Sequence, residues 1–171
     1  MIGIHSVALP FSGKTDKNLF YETESFHRKR TKIRSTNMFH VTREIDFCYG
    51  HRLLNYAGKC RYLHGHNGKA LITLESTQLD ERGMVLDFGE IKAVMNTWVD
   101  DNLDHRMILC RHDPAVEMLK KLDEPMYLLD DNPTAENIAR LIFEVAAAKG
   151  FPVVEVRLWE TPRCYATYDG A

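Results

Sequence analysis

No apolar run in these 171 residues approaches the roughly 18 needed for a membrane-spanning helix, so no membrane partner is expected. Cysteine is scarce. Cys48, Cys60, Cys110 and Cys164 show no disulfide-scaffold spacing, and no secretory pattern accompanies them, which predicts reduced thiols and a cytoplasmic protein. Charge imbalance is also slight: a net −2 gives no bulk electrostatic reason to expect nucleic acid or an anionic surface as partner. What is present, 44% apolar and 27% charged residues, is the composition of a globular chain long enough to bury a core, and the length suggests one domain.

The charge is unevenly spread. Residues 1–37 carry seven Lys or Arg against three acidic residues, a net of +4, which leaves −6 for the remainder. This stretch has no sustained hydrophobic period. It reads as a basic, poorly ordered N-terminal extension; the run 27–34 (His-Arg-Lys-Arg-Thr-Lys-Ile-Arg) could alternatively be a nucleic-acid or targeting patch. Patterned sequence begins at Met38, so the folded domain is expected over 38–171.

The densest chemistry lies in Cys60-Arg61-Tyr62-Leu63-His64-Gly65-His66, with His51 upstream. Period-two geometry puts His64 and His66 on one face of a strand, with Gly65 between them pointing away. An imidazole from a neighbouring strand, His51, completes a three-nitrogen set. Such a set leaves a fourth tetrahedral position for water or substrate, the pattern of catalytic zinc, although imidazole suits several metals. The rival is a closed structural site in which Cys60 is the fourth ligand. Otherwise Cys60, between Lys59 and Arg61 and near a dication, is set to act as a thiolate base.

Alternation of Phe39, Val41, Ile45 and Phe47 predicts a first strand, broken at Tyr49-Gly50. A loop delivers Cys60, a second strand runs over about 64–76, and turn residues Asp80–Gly83 make Met84-Val85-Leu86 its hairpin partner. Asp87 caps an amphipathic helix over 88–101. Asp113-Pro114 can start a short helix through Leu122. Met126–Leu129 is a short apolar run, and Asn132-Pro133-Thr134 opens a long helix ending at Gly150. Strands follow at Val153–Trp159 and Cys164–Tyr168. The expected fold is α+β, a four-stranded antiparallel sheet with two helices on one face and exposed edges that invite pairing between subunits.

Two further positions could do chemistry. Asp104-His105, beyond a helix end, is either a C-terminal cap or a carboxylate orienting an imidazole for proton transfer. Glu160 continues the inward alternation of Val154, Val156 and Leu158. Its carboxylate needs a partner: Arg163 or Arg52, or a planar ligand with adjacent N–H donors, such as a 2-amino-4-oxo pyrimidine ring.

Cys60 three residues before His64-Gly65-His66, Gly-His-Arg-Leu (50–53), Leu-Asp-Phe-Gly-Glu-Ile-Lys (86–92), Asn-Leu-Asp-His (102–105), Asn-Pro-Thr-Ala-Glu-Asn (132–137) and Trp-Glu-Thr (159–161) together resemble the 6-pyruvoyltetrahydropterin synthase family. The match covers about 39–168 and omits the basic extension. The Cys60–His64 spacing is similar to the 6-carboxytetrahydropterin synthase branch of the queuosine pathway. Cys48 and Tyr49 depart from the family, where small residues are commoner. The resemblance implies a tunnelling fold whose sheets join into a barrel in a homohexamer, a dimer of trimers with sites between subunits. It implies one zinc per subunit on His51, His64 and His66, Cys60 as base, and Asp104 and His105 in a proton relay. Glu160 and, more weakly, Thr134 would bind the pterin.

The resulting expectation is a lyase that takes 7,8-dihydroneopterin triphosphate to 6-carboxy-5,6,7,8-tetrahydropterin. The alternatives are the biopterin-forming synthase, which keeps the side-chain carbons, and a non-catalytic zinc-stabilised module. Lys69, Arg106 and Arg163 are the open candidates for the triphosphate.

Overall fold

The fold is seen in a computed structural model that describes residues 37–170. Apart from Asn37, the N-terminal extension lies outside the described residues.

Six strands form one mixed sheet in the order β4-β3-β1-β2-β5-β6. β1 (Phe39–His51), β2 (His64–Ser76), β5 (Val153–Thr161) and β6 (Cys164–Tyr168) are the antiparallel quartet. Beside β1 lie β3 (Arg106–Cys110) and β4 (Met126–Leu129), both paired in parallel. The expected purely antiparallel, four-stranded sheet is therefore corrected to six strands of mixed sense. The hairpin partner expected at Met84–Leu86 is not a strand. Its three residues lie between the turn at 81–82 and the Asp87 cap of the following helix, and Leu86 packs on the core without joining a ladder.

β1 also runs further than its pattern suggested. Tyr49-Gly50 does not break it, because Tyr49 keeps the inward alternation of Ile45 and Phe47 and passes it on to His51. The inner faces of β1, β2 and β5 (Ile45, Phe47, Ile72, Leu74, Val156, Leu158) form the core with two helical segments. The outer face is polar, with Thr42 bonded to Thr73 at 3.0 Å and Lys69 to Glu44 at 3.0 Å.

The first helical segment comprises α1 (Phe88–Ile91), a π-helical stretch (Lys92–Asn96) and α2 (Thr97–Asn102). Asp87 caps it by accepting the Gly89 N–H at 2.7 Å. Ile91, Met95, Val99 and Leu103 all face the core, each four residues after the last. Over that span a regular α-helix would drift by about 120°. The widened π turn absorbs roughly one residue, about 100°, and keeps the four on one face. α4 (Ala135–Ala148) packs beside it through Ile138, Ile142 and Ala146, so the expectation of helices on one face holds. The short α3 (Ala115–Lys121) covers a second small cluster around Leu109.

One ion pair ties the chain after β1 to the turn before α3. Asp113 is 3% exposed and accepts Arg52 Nε and Nη2, each at 2.7 Å, and the Ala115 N–H at 2.8 Å. Burial pushes the Asp113 carboxyl up, but the bonds from Arg52 and Ala115 outweigh it and hold the group below its ordinary range. Because the folded pKa is depressed, the stability it contributes is present above the unfolded value of about 3.9. It is lost as pH falls through the folded pKa. Asp113→Asn is expected to cost about 3 kcal/mol in urea unfolding at neutral pH, since it strands a half-buried guanidinium. The gap from wild type should narrow in acid; a gap constant with pH would show that the carboxylate charge is not the source.

Candidate metal centre

The antiparallel register of β1 and β2 sets His51 opposite His64 and Tyr49 opposite His66. All three imidazoles therefore converge at one end of the strand pair, their ligand atoms within 4.8 Å of one another. His51 Nε2 lies 3.0 Å from His64 Nε2 and 3.1 Å from His66 Nε2. Two rings are oriented by the main chain. His51 Nδ1 bonds the Pro133 carbonyl at 2.7 Å, and His64 Nδ1 bonds the Tyr62 carbonyl at 2.8 Å.

A carbonyl oxygen only accepts, so both Nδ1 atoms carry a proton, and in the neutral rings both Nε2 atoms present lone pairs. Two lone pairs at 3.0 Å cannot bond each other; a cation between them resolves the conflict. Nitrogens on a tetrahedral zinc with bonds of about 2.0–2.1 Å stand about 3.3–3.4 Å apart, close to what is seen. The donor set thus fits a borderline-soft divalent metal. Burial pushes the His51 pKa down, only partly opposed by the Pro133 bond and the Glu160 charge, and this favours the neutral ligand form.

Cys60 sits in a 3₁₀ turn (Lys59–Arg61), tethered by the Leu53 N–H to its carbonyl at 2.8 Å. It is not part of the converging cluster among the described residues, which leaves the fourth position open. Instead it lines a cavity of about 280 Å³ with His51, Thr134, Glu136, Glu160 and Cys164. Thr134 is there because it caps α4, its Oγ1 accepting the Asn137 N–H at 3.4 Å.

Glu160 points inward as its alternation required, but neither expected arginine meets it: Arg52 is held by Asp113. Its partner is Tyr49, whose hydroxyl donates to Oε1 at 3.0 Å. Burial, reinforced by the Glu160 charge, pushes the Tyr49 phenol pKa up, so it remains a donor. Oε1 also lies 3.8 Å from His51 Nε2.

Asp104 and His105 lie on the other side. Asp104 Oδ1 accepts the Cys48 N–H at 2.7 Å, and Oδ2 accepts His105 Nδ1–H at 2.6 Å. Burial opposes ionisation of Asp104, but the bonds from Cys48 and His105 prevail and hold its pKa below the ordinary range. The imidazole of His105 is exposed. It lines a cavity of about 640 Å³ with Cys48, His64, His66, Arg106 and Glu124. One chain therefore places Cys60 and His105 in separate cavities, which sequence spacing did not foretell.

Cys48, one of the two departures from the family pattern, borders this second cavity. Tyr49, Glu136 and Cys164 are further site residues that the sequence reading did not assign. Only the continued alternation through Tyr49 offered a signal. Of the three basic candidates, Lys69 is paired with Glu44 and Asp46, whereas Arg106 borders the cavity beside His64 and His66.

With this geometry in place, comparison with known proteins is specific. A family model described as 6-pyruvoyl tetrahydropterin synthase matches residues 40–171. A Rickettsia bellii protein named 6-carboxy-5,6,7,8-tetrahydropterin synthase is 40% identical over 137 residues, 75% of this chain and 98% of that protein. A Haemophilus influenzae protein of the same name is 30% identical over 140 residues, 77% of this chain and 99% of its own. Among solved structures, an uncharacterized protein from Wolinella succinogenes superposes with a TM-score of 0.69 at 28% identity, covering 79% of this chain and 99% of that one. A Caenorhabditis elegans 6-pyruvoyl tetrahydropterin synthase gives 0.60 at 30% identity, covering 79% and 97%.

The triad makes a direct demand on metal content. Wild-type protein loaded with zinc and dialysed should hold one equivalent by elemental analysis. His64→Ala, left with two imidazoles, should hold little. Full retention by that variant would remove His64 from the ligand set.

Proposed function

This chain belongs to the 6-pyruvoyl tetrahydropterin synthase family, and we propose that it is a zinc-dependent carbon–carbon lyase. Its substrates are 7,8-dihydroneopterin triphosphate and one water and its product 6-carboxy-5,6,7,8-tetrahydropterin, with acetaldehyde and triphosphate released, in queuosine or 7-deazapurine biosynthesis. The observation that carries the reading is the cavity shared by His51, Cys60, Thr134 and Glu160. It sets a thiol and a carboxylate beside the converging imidazoles. The branch assignment is supported by the names of relatives at 30–40% identity and by the spacing of Cys60 from His64.

When bound, zinc supplies a Lewis acid that polarises the oxygens of the substrate side chain. The rest falls to the chain. Glu160 accepts two parallel N–H bonds from the pterin edge, with Thr134 beside it. Cys60 Sγ takes a side-chain proton. Asp104 fixes His105 with Nδ1 protonated, leaving Nε2 to move a proton. A relay that uses both Cys60 and His105 draws one of them from a neighbouring copy, because they border separate cavities of a single chain. The homohexamer expected of the family would provide that juxtaposition. The catalytic unit is residues 38–171, residues 1–37 are an appendage, and the four free thiols suit the cytoplasm.

The Caenorhabditis elegans likeness favours a second reading, loss of triphosphate alone. Incubating zinc-loaded protein with dihydroneopterin triphosphate and weighing the products separates the two. Acetaldehyde and the 6-carboxy product are expected; a product keeping all three side-chain carbons would identify the other branch. No turnover from zinc-loaded protein would point to a non-catalytic module. Cys60→Ala should keep its zinc and lose turnover by about 10²-fold or more. Undiminished turnover would remove Cys60 from the mechanism.

A further inference from the structure

Tyr49 is the residue whose place in the site the proposed chemistry leaves unexplained. It is 3% exposed, although its neighbours along the strand, Cys48 and Gly50, are not buried. Its ring lies 5.4 Å from the His51 ring and 5.6 Å from the His66 ring, centroid to centroid, and 5.3 Å from Phe47. Space for it is made on the neighbouring strand. A Cβ at Gly68 would fall 2.8 Å from Tyr49 Cε1 and 3.4 Å from Phe47 Cζ, so only glycine at that position leaves the ring undisturbed. The phenol then reaches Glu160, 111 residues away in sequence, at 3.0 Å.

Two pulls act on that carboxylate. Oε1 is 3.8 Å from His51 Nε2, so a cation held by the imidazoles would attract it. Collapse onto the metal would close the open position and withdraw the acceptor from the cavity. The Tyr49 hydroxyl opposes this by bonding the same oxygen. Among the described residues, no other hydrogen bond restrains the Glu160 side chain. A carboxylate accepts at about four lone-pair positions. The phenol occupies one, leaving Oε2 and the second lone pair of Oε1 for two parallel donors.

We propose that Tyr49 is a positioning residue for Glu160: its hydroxyl holds the carboxylate off the metal and presents it to the ring N–H and amino groups of a pterin. This rests on the reading of Glu160 as the pterin acceptor. Gly68 is the second half of the device, because it admits the ring.

Calorimetric titration with neopterin tests it, using the zinc-loaded full chain as wild type, Tyr49→Phe, Glu160→Ala and the double variant. Tyr49→Phe keeps the ring and its packing. It is expected to bind neopterin about tenfold more weakly, the scale of one hydrogen bond to a charged group. Glu160→Ala should lose at least as much, and the double variant should bind no more weakly than Glu160→Ala alone. Zinc should stay at one per chain throughout. Additive losses would show that Tyr49 acts by another route and overturn the proposal. So would wild-type affinity in Tyr49→Phe beside a weakened Glu160→Ala, which leaves the reading of Glu160 intact. Loss of zinc from Tyr49→Phe would make the phenol a support of the triad instead. Wild-type affinity in Glu160→Ala would remove the parent reading, and the role of Tyr49 with it.

Discussion

The register between β1 and β2 is the constraint on which the site depends. His51 opposes His64, and Tyr49 opposes His66, along a ladder that runs unbroken from Phe39↔Ser76. Because side chains alternate, a slip of one residue would send every inward residue of β1 to the outer face. Ile45 and Phe47 would leave the core in the same step that His51 left the triad. Core burial thus enforces the convergence of the three imidazoles: roughly 1.5–3 kcal/mol for each large apolar side chain resists the slip. The imidazoles need no separate device to stay in register.

Orientation of the rings is a second matter, and here the connections contribute. His51 is aligned by the carbonyl just before the α4 cap, so the start of that helix and the end of β1 are fixed to one another. The same cap residue, Thr134, borders the cavity that contains Cys60 and Glu160. Asn132 bonds the main chain of Leu54 in both directions, at 2.7 and 2.9 Å. The segment leading to Cys60 is thereby anchored to the loop that carries Pro133. The three imidazoles, the thiol and the helix cap form one mechanically connected unit built from two distant stretches of chain, 51–66 and 132–134.

Much of this was legible in the residues, because the long strands and helices carry clear periods. Helix caps at Asp87 and Thr134 were readable from side-chain chemistry, and the same-face pair His64 and His66 follows from strand geometry alone. Other features were not legible, for identifiable reasons. β3 and β4 have only five and four residues, too few to show a period, and parallel pairing depends on partners far along the chain. Glycine at position 50 looked like a break, whereas it lies inside the strand where a side chain would meet Met107 Sδ at 2.3 Å. The partner of Glu160 was sought among arginines, since charge suggests charge; the actual donor is a phenol that alternation had already turned inward. No spacing rule could have separated Cys60 from His105, because that separation is a property of the assembled sheet.

The clamp on Asp104 and His105 has a consequence for sequence drift. Both of its ties to β1 use the main chain of Cys48: its N–H serves Asp104, and its carbonyl accepts the His105 N–H at 2.7 Å. The thiol of Cys48 points instead to Asn67 and takes no part in holding the pair. The hold on Asp104 and His105 is therefore indifferent to the side chain at this position. Glycine, alanine or serine can supply the same two main-chain bonds. Proline alone is barred, having no N–H to give. Variation at position 48 among related chains then carries no information about whether the dyad is intact, and a conserved partner should be sought at Asp104 instead.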